Sequence, residues 1–543
     1  MALPDILTGL LRPAAYPHPC SAIHLVETHI SWVLLTGDYA YKIKKPVQLP
    51  FVDFGSLERR QFFCIEELRC NRPFAPDLYL EVVAVGVDAD GMATFASATG
   101  ASRAPIEWAV RMRQFAPEQQ LDRLLETGAL TTDLLHDFGA RLAAVHRSLP
   151  RRSGSAVEIA IRVRAPVEEN FTTLAALPLG SEARTLLGEI RTGTHRLADA
   201  LGGRFAARLA AGFTRECHGD LHLGNLVLEQ GVVTAFDCLE FDANLRWIDT
   251  QSDVAFLFMD CLVRGRSDLG YAFLDGYLDA SGDYQGVRLL PFYALYRALV
   301  RAKVAAIQAH QMRTGDTASE VAEAAATLDA RALAHLRWAA AWLARPPGRV
   351  VLMSGVSGSG KSYLAERLVS VLPAVRMRSD VARRQLANEP EGNGAPQQGG
   401  GPGGHVDAGR YAPDRVLGVY RHLAELLPDL VGQGESVVVD ATFISAAARR
   451  LFIEHARAAG WSLVIVACTA PLPVLEARVR LRLEAGRDPS EADLAVLAGQ
   501  LARREPFAPD EPVLEVDTSD PFDAHRIREL AAAISAGRGV FVG

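Results

Sequence analysis

Residues 355–362 read GVSGSGKS, directly after the apolar run RVVLMS and directly before the helix-like SYLAERLVSVL. The stretch fits G-x-x-x-x-G-K-[ST] in a strand–loop–helix setting, and no other feature constrains the chain as tightly. Gly355 and Gly360 let backbone N–H groups turn inward on phosphate oxygens, and Ser357, Gly358 and Ser359 complete the loop between them. Lys361 is placed to reach the β- and γ-phosphates of a nucleotide, and Ser362 to supply a magnesium ligand. Such a loop needs a parallel sheet behind it. Strand-like runs recur at 349–354, 374–379, 436–441 and 462–468, with helical stretches between them, which is the βα alternation of such a sheet. The third of these, VVVDATF, ends on Asp440, the carboxylate expected to hold the metal directly or through water. A turn aspartate at a strand end would read the same way.

Upstream of the loop the chain changes character. LARPPGRV closes a long alanine-rich helix with Pro346, Pro347 and Gly348, so the boundary is expected there, giving domains 1–345 and 346–543. Residues 388–406, NEPEGNGAPQQGGGPGGHV, are too poor in apolar side chains to build a core and read as a mobile loop. The formal net charge is -7, which advertises no general polyanion-binding surface. Seven scattered cysteines without a Cys-x-x-Cys pair point to reduced thiols. The start lacks the basic segment and longer apolar core of a secretion signal, and no apolar run reaches the ~18 residues of a membrane span. A soluble cytoplasmic protein with no membrane partner is therefore expected.

The earlier region turns on CHGDLHLGN, residues 217–225. A zinc reading would use His218 and His222, but Gly219, Gly224 and the strand-like NLVL oppose their presentation on one helix face. A covalent reading lacks a Ser or Cys elbow. Phosphoryl transfer fits better. Asp220 and Asn225 stand five apart, the spacing of H-R-D-x-x-x-x-N, in which the aspartate accepts the hydroxyl proton and the asparagine binds magnesium. Twelve residues on, AFDCLEF supplies Asp237, placed like the aspartate of D-F-G as a second metal ligand.

HGDLHLGN, FDCLEF and IDTQSDVAFL together resemble the aminoglycoside phosphotransferase and choline kinase superfamily. That resemblance implies that AYKIKKP is the phosphate-binding lysine strand, with Lys42 as the lysine and Lys44 on the same strand face. It implies Glu67 as the partner of that lysine, with Glu66 close behind, unless this helix face is merely solvated. EWAVRMR becomes the interlobe hinge, and Asp253 a residue that hydrogen-bonds the catalytic-loop backbone, although a simple helix N-cap would use the same residue. No G-x-G-x-x-G precedes the lysine strand, so VETHISWVLL must cover the phosphates. Arg297, Arg301 and Lys303 share a helix that either lines an anionic acceptor site or packs against the carboxylate-rich lobe. Residues 346–543, through GVSGSGKS, RSDVARR and VVVDATF, resemble P-loop kinases related to polynucleotide 5′-hydroxyl kinase and the zeta-toxin kinases. This second resemblance makes Asp380 the base facing the acceptor hydroxyl and Arg383 a clamp on acceptor or phosphate, although Asp380 also suits a helix N-cap. Arg478 and Arg482, four apart, with Arg487 in the turn beyond, would form an arginine lid; a solvated basic helix has the same pattern.

The whole chain thus resembles bacterial fusions of an aminoglycoside-phosphotransferase-like domain with a P-loop kinase. The fold class implied is α/β and α+β: a bilobal protein-kinase-like domain, then a P-loop NTPase domain with a parallel sheet. ATP and Mg2+ are the implied cofactors. The implied acceptors are small-molecule hydroxyls such as a sugar or amino alcohol, or a nucleic-acid 5′-hydroxyl for the second half. The alternative keeps the P-loop half as kinase or ATPase and makes the first half a regulatory ligand-binding module.

Overall fold

The computed structural model describes residues 5–49, 52–95, 104–315, 319–388, 413–485 and 493–537. The glycine-rich stretch expected as a loop lies, from residue 389 on, outside the described residues, as does Arg487. The chain divides into two compact units. One comprises Met1–Leu134, Ala144–Thr172 and Arg196–Asp260; the other comprises Leu135–Ala143, Thr173–His195 and Cys261–Gly543.

The first unit opens with six antiparallel strands: β1 (His24–Glu27), β2 (Ser31–Leu35), β3 (Tyr39–Lys44), β4 (Tyr79–Val87), β5 (Ala93–Thr94) and β6 (Glu107–Arg113). Their order in the sheet is β1-β2-β3-β6-β4-β5. Side chains alternate across β3 because a strand has a period of two. Tyr41 and Ile43 enter a core with Leu34, Val85 and Ala109, while Lys42 and Lys44 share the other face. Helix α1 (Leu57–Asn71) lies against β4 and β6, its first turn capped by the Ser56 hydroxyl accepting from the Arg59 N–H. Further along, β7 (Leu226–Glu229) and β8 (Val232–Ala235) form a hairpin. Its two-residue turn, Gln230 and Gly231, has φ of 50° and 80°, the left-handed pair that matches strand twist. Helix α3 (Thr250–Val263) comes next, and α2 (Thr132–Ser148) precedes the hairpin.

In the second unit a five-stranded parallel sheet runs β10-β11-β9-β12-β13. The strands are β9 (Arg349–Ser354), β10 (Ala374–Arg378), β11 (Ser436–Asp440), β12 (Ser462–Thr469) and β13 (Val513–Asp517). Near-continuous burial of β9 and β11 explains why these read as apolar runs. Four of the five are legible in the sequence. β13 is not, because this strand alternates buried and exposed residues and carries two carboxylates. Val351, Met353, Val438, Val466 and Leu514 meet Leu364 and Leu368 of α6 (Lys361–Val371) in one core.

Helix α4 (Ser267–Ser281) belongs to this unit and packs against α6 and β10. It crosses residues 135–143 of α2 in backbone contact. A Cβ on Gly276 would lie 2.0 Å from the His136 carbonyl oxygen, and one on Gly139 2.2 Å from that of Phe273. Glu435, fully withdrawn from water, accepts from the Tyr271 hydroxyl at 2.5 Å and from Arg345 at 2.7 Å. The short α5 (Tyr284–Val287) follows α4, α7 (Ser379–Asn388) follows β10, and α8 (Leu472–Ala485) and α9 (Leu494–Arg503) follow β12. No helix among the described residues is long and apolar enough to cross a membrane.

Candidate functional site

In the first unit, strand β3, helix α1 and the segment after β8 bring five charged side chains together. Lys42 Nζ lies 2.7 Å from Glu67 Oε1 and 2.5 Å from Asp237 Oδ1. Lys44, fully buried, reaches the other oxygen of Glu67 at 2.8 Å and also contacts Glu240. A charge removed from water survives only when opposite charges and hydrogen bonds replace the solvent. Burial alone would push the Glu67 carboxyl up, but the two ammonium groups outweigh it and hold it at about 2. Burial likewise opposes the Lys42 charge, and Asp237 and Glu67 raise its pKa well above the ordinary lysine value. Glu66 is committed elsewhere, to Arg69 and Arg246. Lys44 was visible two residues from Lys42. Glu240, three after Asp237, carried no motif that would have singled it out.

The segment around Asp237 is held in an uncommon conformation. Asp237 has φ of 63°, which costs a residue with a side chain free energy and persists only where its surroundings enforce it. Its N–H donates to the Tyr79 hydroxyl at 3.0 Å, and the next N–H donates to Asn71 Oδ1 at 2.9 Å. On the facing loop the two oxygens of buried Asp253 accept from the His218 and Gly219 N–H groups, each at 2.8 Å. Gly219, with φ of 85°, makes that turn possible. His218 donates from Nε2 to the Phe236 carbonyl at 2.9 Å, while its Nδ1 accepts from the Asp220 N–H at 3.4 Å. That assignment of the ring proton follows from the bonding network, and burial lowers the His218 pKa, so the ring is neutral. Asn225 Nδ2 donates to both the backbone oxygen and Oδ2 of Asp220, at 3.0 Å each.

A carboxylate and a carboxamide offer hard oxygen donors of the kind magnesium takes, so Asn225 and Asp237 suit that ion. Neither His218 nor His222 belongs to a three-ligand cluster among the described residues. His222 Nδ1 instead accepts from the Gly224 N–H at 3.1 Å. Of the basic residues on the later helix, Arg297 is buried with its guanidinium 5.0 Å from the Tyr296 ring.

The second constellation lies at the carboxyl ends of β9 and β11. In the loop between β9 and α6, Gly358 and Gly360 have φ of 81° and 76°. A Cβ on Gly358 would meet the Leu475 carbonyl oxygen at 2.5 Å, so the loop is a cradle that only glycine completes. Gln500 of α9 accepts from the Ser357 N–H at 2.7 Å and braces the loop. Lys361 begins α6, whose positive end favours phosphate. Ser362 Oγ donates to Asp440 Oδ1 at 3.0 Å. A hydroxyl and a carboxylate in contact beneath such a cradle fit a magnesium nucleotide.

Asp380 occupies the first turn of α7, and its carboxylate accepts from Arg383 at 2.7 Å. Arg478 faces the loop, donating to the Gly358 carbonyl at 3.4 Å and to those of Thr518 and Ser519 at 2.5 and 3.2 Å. Arg482 sits one turn further along α8, half-buried. Three residues with evident work here were missed by sequence reasoning: Gln500, Arg378 and Tyr420. Arg378 Nε stands 3.7 Å from Asp440. Tyr420 bonds Thr442 at 3.1 Å and accepts from the Phe443 N–H. None of the three falls within a recognisable spacing.

Residues 350–507 match the model of an AAA domain family. Over 487 residues the chain is 32% identical to the uncharacterized protein Rv2004c of Mycobacterium tuberculosis, spanning 88% of this chain and 90% of that one. Among solved structures, a choline/ethanolamine kinase family protein from Mesorhizobium loti is 15% identical, with a TM-score of 0.33, covering 60% of this chain and 94% of its own. A sugar kinase of Janibacter sp. HTCC2649 is 20% identical, with a TM-score of 0.26, covering 35% of this chain and 95% of its own.

Proposed function

The chain belongs to the family that includes the mycobacterial protein Rv2004c, and we propose that it is an ATP- and magnesium-dependent phosphotransferase with two nucleotide sites. Each site passes a γ-phosphoryl group to a hydroxyl acceptor, a sugar or amino alcohol in either half, or a nucleic-acid 5′-hydroxyl in the second. The observation that carries this reading is that each half gathers its phosphate and metal groups from distant stretches of sequence. Lys42 meets Asp237 across 195 positions, and Ser362 meets Asp440 across 78.

In the first half, Lys42 would hold phosphate oxygens, Glu67 would fix Lys42, and Asp237 with Asn225 would hold magnesium. Asp220 would take the acceptor's proton as the oxygen attacks phosphorus. In the second half, the loop from Gly355 to Ser362 would wrap the phosphates and Lys361 would span the β- and γ-groups. Ser362 and Asp440 would hold the metal. Asp380 would take the acceptor proton, with Arg383 on acceptor or phosphate. Arg478, Arg482 and Arg487 would lie over the transferring group.

The test uses the full chain and a panel of sugars, nucleosides, amino alcohols and 5′-hydroxyl oligonucleotides, scored by labelled phosphate transfer. Asp220→Asn should retain magnesium nucleotide in the first site but lower its transfer by about 10²–10⁴-fold. Asp237→Asn should weaken the metal-dependent binding itself. Lys361→Ala should remove the second activity and leave the first. If Asp220→Asn and Asp237→Asn change no transfer, and Lys361→Ala abolishes all of it, the first half is a regulatory module and the two-site reading is wrong.

A further inference from the structure

Lys42 and Lys44 lie two apart on β3, and Asp237 and Glu240 lie three apart on the segment after β8. Each lysine meets one of these acids, Lys42 with Asp237 at 2.5 Å and Lys44 with Glu240. Glu67 of α1 stands between the two pairs, with Oε1 2.7 Å from Lys42 and Oε2 2.8 Å from Lys44. The pairs differ in access. The Asp237 side chain is 45% exposed, whereas Lys44 is sealed from water and Glu240 is 5% exposed. The Lys44 ammonium also stands 4.9 Å from the centre of the Phe54 ring. The backbone beside Glu240 is anchored too. The Leu239 N–H donates to the His218 carbonyl at 3.1 Å, and Arg246 Nη1 donates to the Leu239 and Glu240 carbonyls at 3.3 and 3.0 Å.

We propose that Lys44 and Glu240 are positioning residues for the metal site of the first half. Their sealed ion pair holds the Asp237 segment against β3 once Lys42 and Asp237 have turned to the nucleotide. The exposed pair is temporary by its own chemistry. If Lys42 is to hold phosphate oxygens and Asp237 magnesium, their mutual contact opens as the nucleotide enters. Asp237 then loses its direct hold on β3, while its φ of 63° still costs free energy that the surroundings must offset. The Lys44–Glu240 pair, sealed from water, is also out of a nucleotide's reach, and opening it would strand two buried charges. It therefore stays closed in both states. Groups that stand behind a metal ligand fix its orientation and so act on metal affinity. This inference rests on the nucleotide-binding reading of the first half. It gives the two lysines of β3 different work, one on the nucleotide and one on the segment that carries the metal ligand.

The experiment uses the full chain with its phosphate-binding loop silenced by Lys361→Ala. This parent is titrated calorimetrically with a non-hydrolysable ATP analogue at graded magnesium. Glu240→Gln keeps the shape of the side chain and removes its charge. It should raise the magnesium needed for half-maximal binding roughly tenfold, the scale on which partners of metal ligands act. At saturating magnesium the affinity for the analogue should return to that of the parent. A merely structural role lowers the unfolding midpoint and leaves the magnesium requirement where it was, and that result overturns the proposal. So does a loss of affinity that saturating magnesium does not restore. Should Glu240→Gln melt below the assay temperature, Lys44→Met combined with Glu240→Leu decides, since neither charge of the pair is then stranded. A raised magnesium requirement in that double variant supports the proposal, and an unchanged one overturns it. A parent chain that binds no analogue removes the nucleotide-binding reading of the first half and this inference together.

Discussion

Lys42 and Lys44 look alike in the sequence and differ in what each should do. Lys42 keeps some contact with water and reaches Asp237, whereas Lys44 is sealed between Glu67 and Glu240. Removing one member of a buried pair leaves the other charge stranded, at about 3–5 kcal/mol. Lys44→Ala should therefore lower unfolding stability by about that much in urea titrations, while Lys42→Ala should lose less stability and more nucleotide affinity. His218 gives a prediction with a sign. Its pKa is lowered from the ordinary value of 6.5 by burial, so the unfolded chain binds the proton more readily than the native one. Its contribution to stability is complete above about pH 6.5 and is lost as pH falls through the folded value. Thermal melts at about pH 7.5 and about pH 5.5 should show a drop that His218→Asn reduces. The contact of Asn225 with Asp220 was legible because both stand in one short motif. Glu240, Gln500 and Arg378 were not, since their partners are fixed only by tertiary contact.

At the scale of elements, the strands around the phosphate-binding loop could be read because a strand buried on both faces is an unbroken apolar run. β13 could not, because it alternates buried positions with exposed carboxylates. The hairpin between Asn225 and Asp237 has a different basis, Gln-Gly between two apolar runs, which is local turn chemistry. The crossing of α4 with residues 135–143 left no trace in the sequence beyond two glycines inside helices, which usually mean only lost helix propensity. Here they permit backbone contact. Gly276→Ala should cost about 2 kcal/mol or more, since its methyl would press on the His136 carbonyl and neither helix can yield locally. Chemical denaturation of the full chain measures this, with Gly202→Ala, inside a helix where a Cβ meets nothing within 4 Å, for comparison.

Across the whole molecule, two clusters of charged and polar side chains sit on one chain, one around Lys42 and Asp237 and one around Ser362 and Asp440. The joining of residues 261–345 to the second unit was not legible, since nothing in the sequence pairs Asp275 with Arg376 or Tyr271 with Glu435. Hydrogen bonds to charged groups contribute about 1.5–3 kcal/mol each, so a fragment of residues 346–543 should unfold at lower urea than one of residues 261–543. Equal midpoints would mean that α4 adds nothing to the stability of the sheet. The same pairing has a consequence in time. Asp275 is synthesised 101 residues before Arg376. At roughly 5–20 residues per second, α4 spends about 5–20 seconds outside the peptidyl-transferase centre before its guanidinium partners exist. During that interval its acidic face is surface, and it becomes interior only when β10 emerges. A ribosome stalled short of residue 376 therefore carries a nascent chain whose helix is made and whose counter-ions are still unread message.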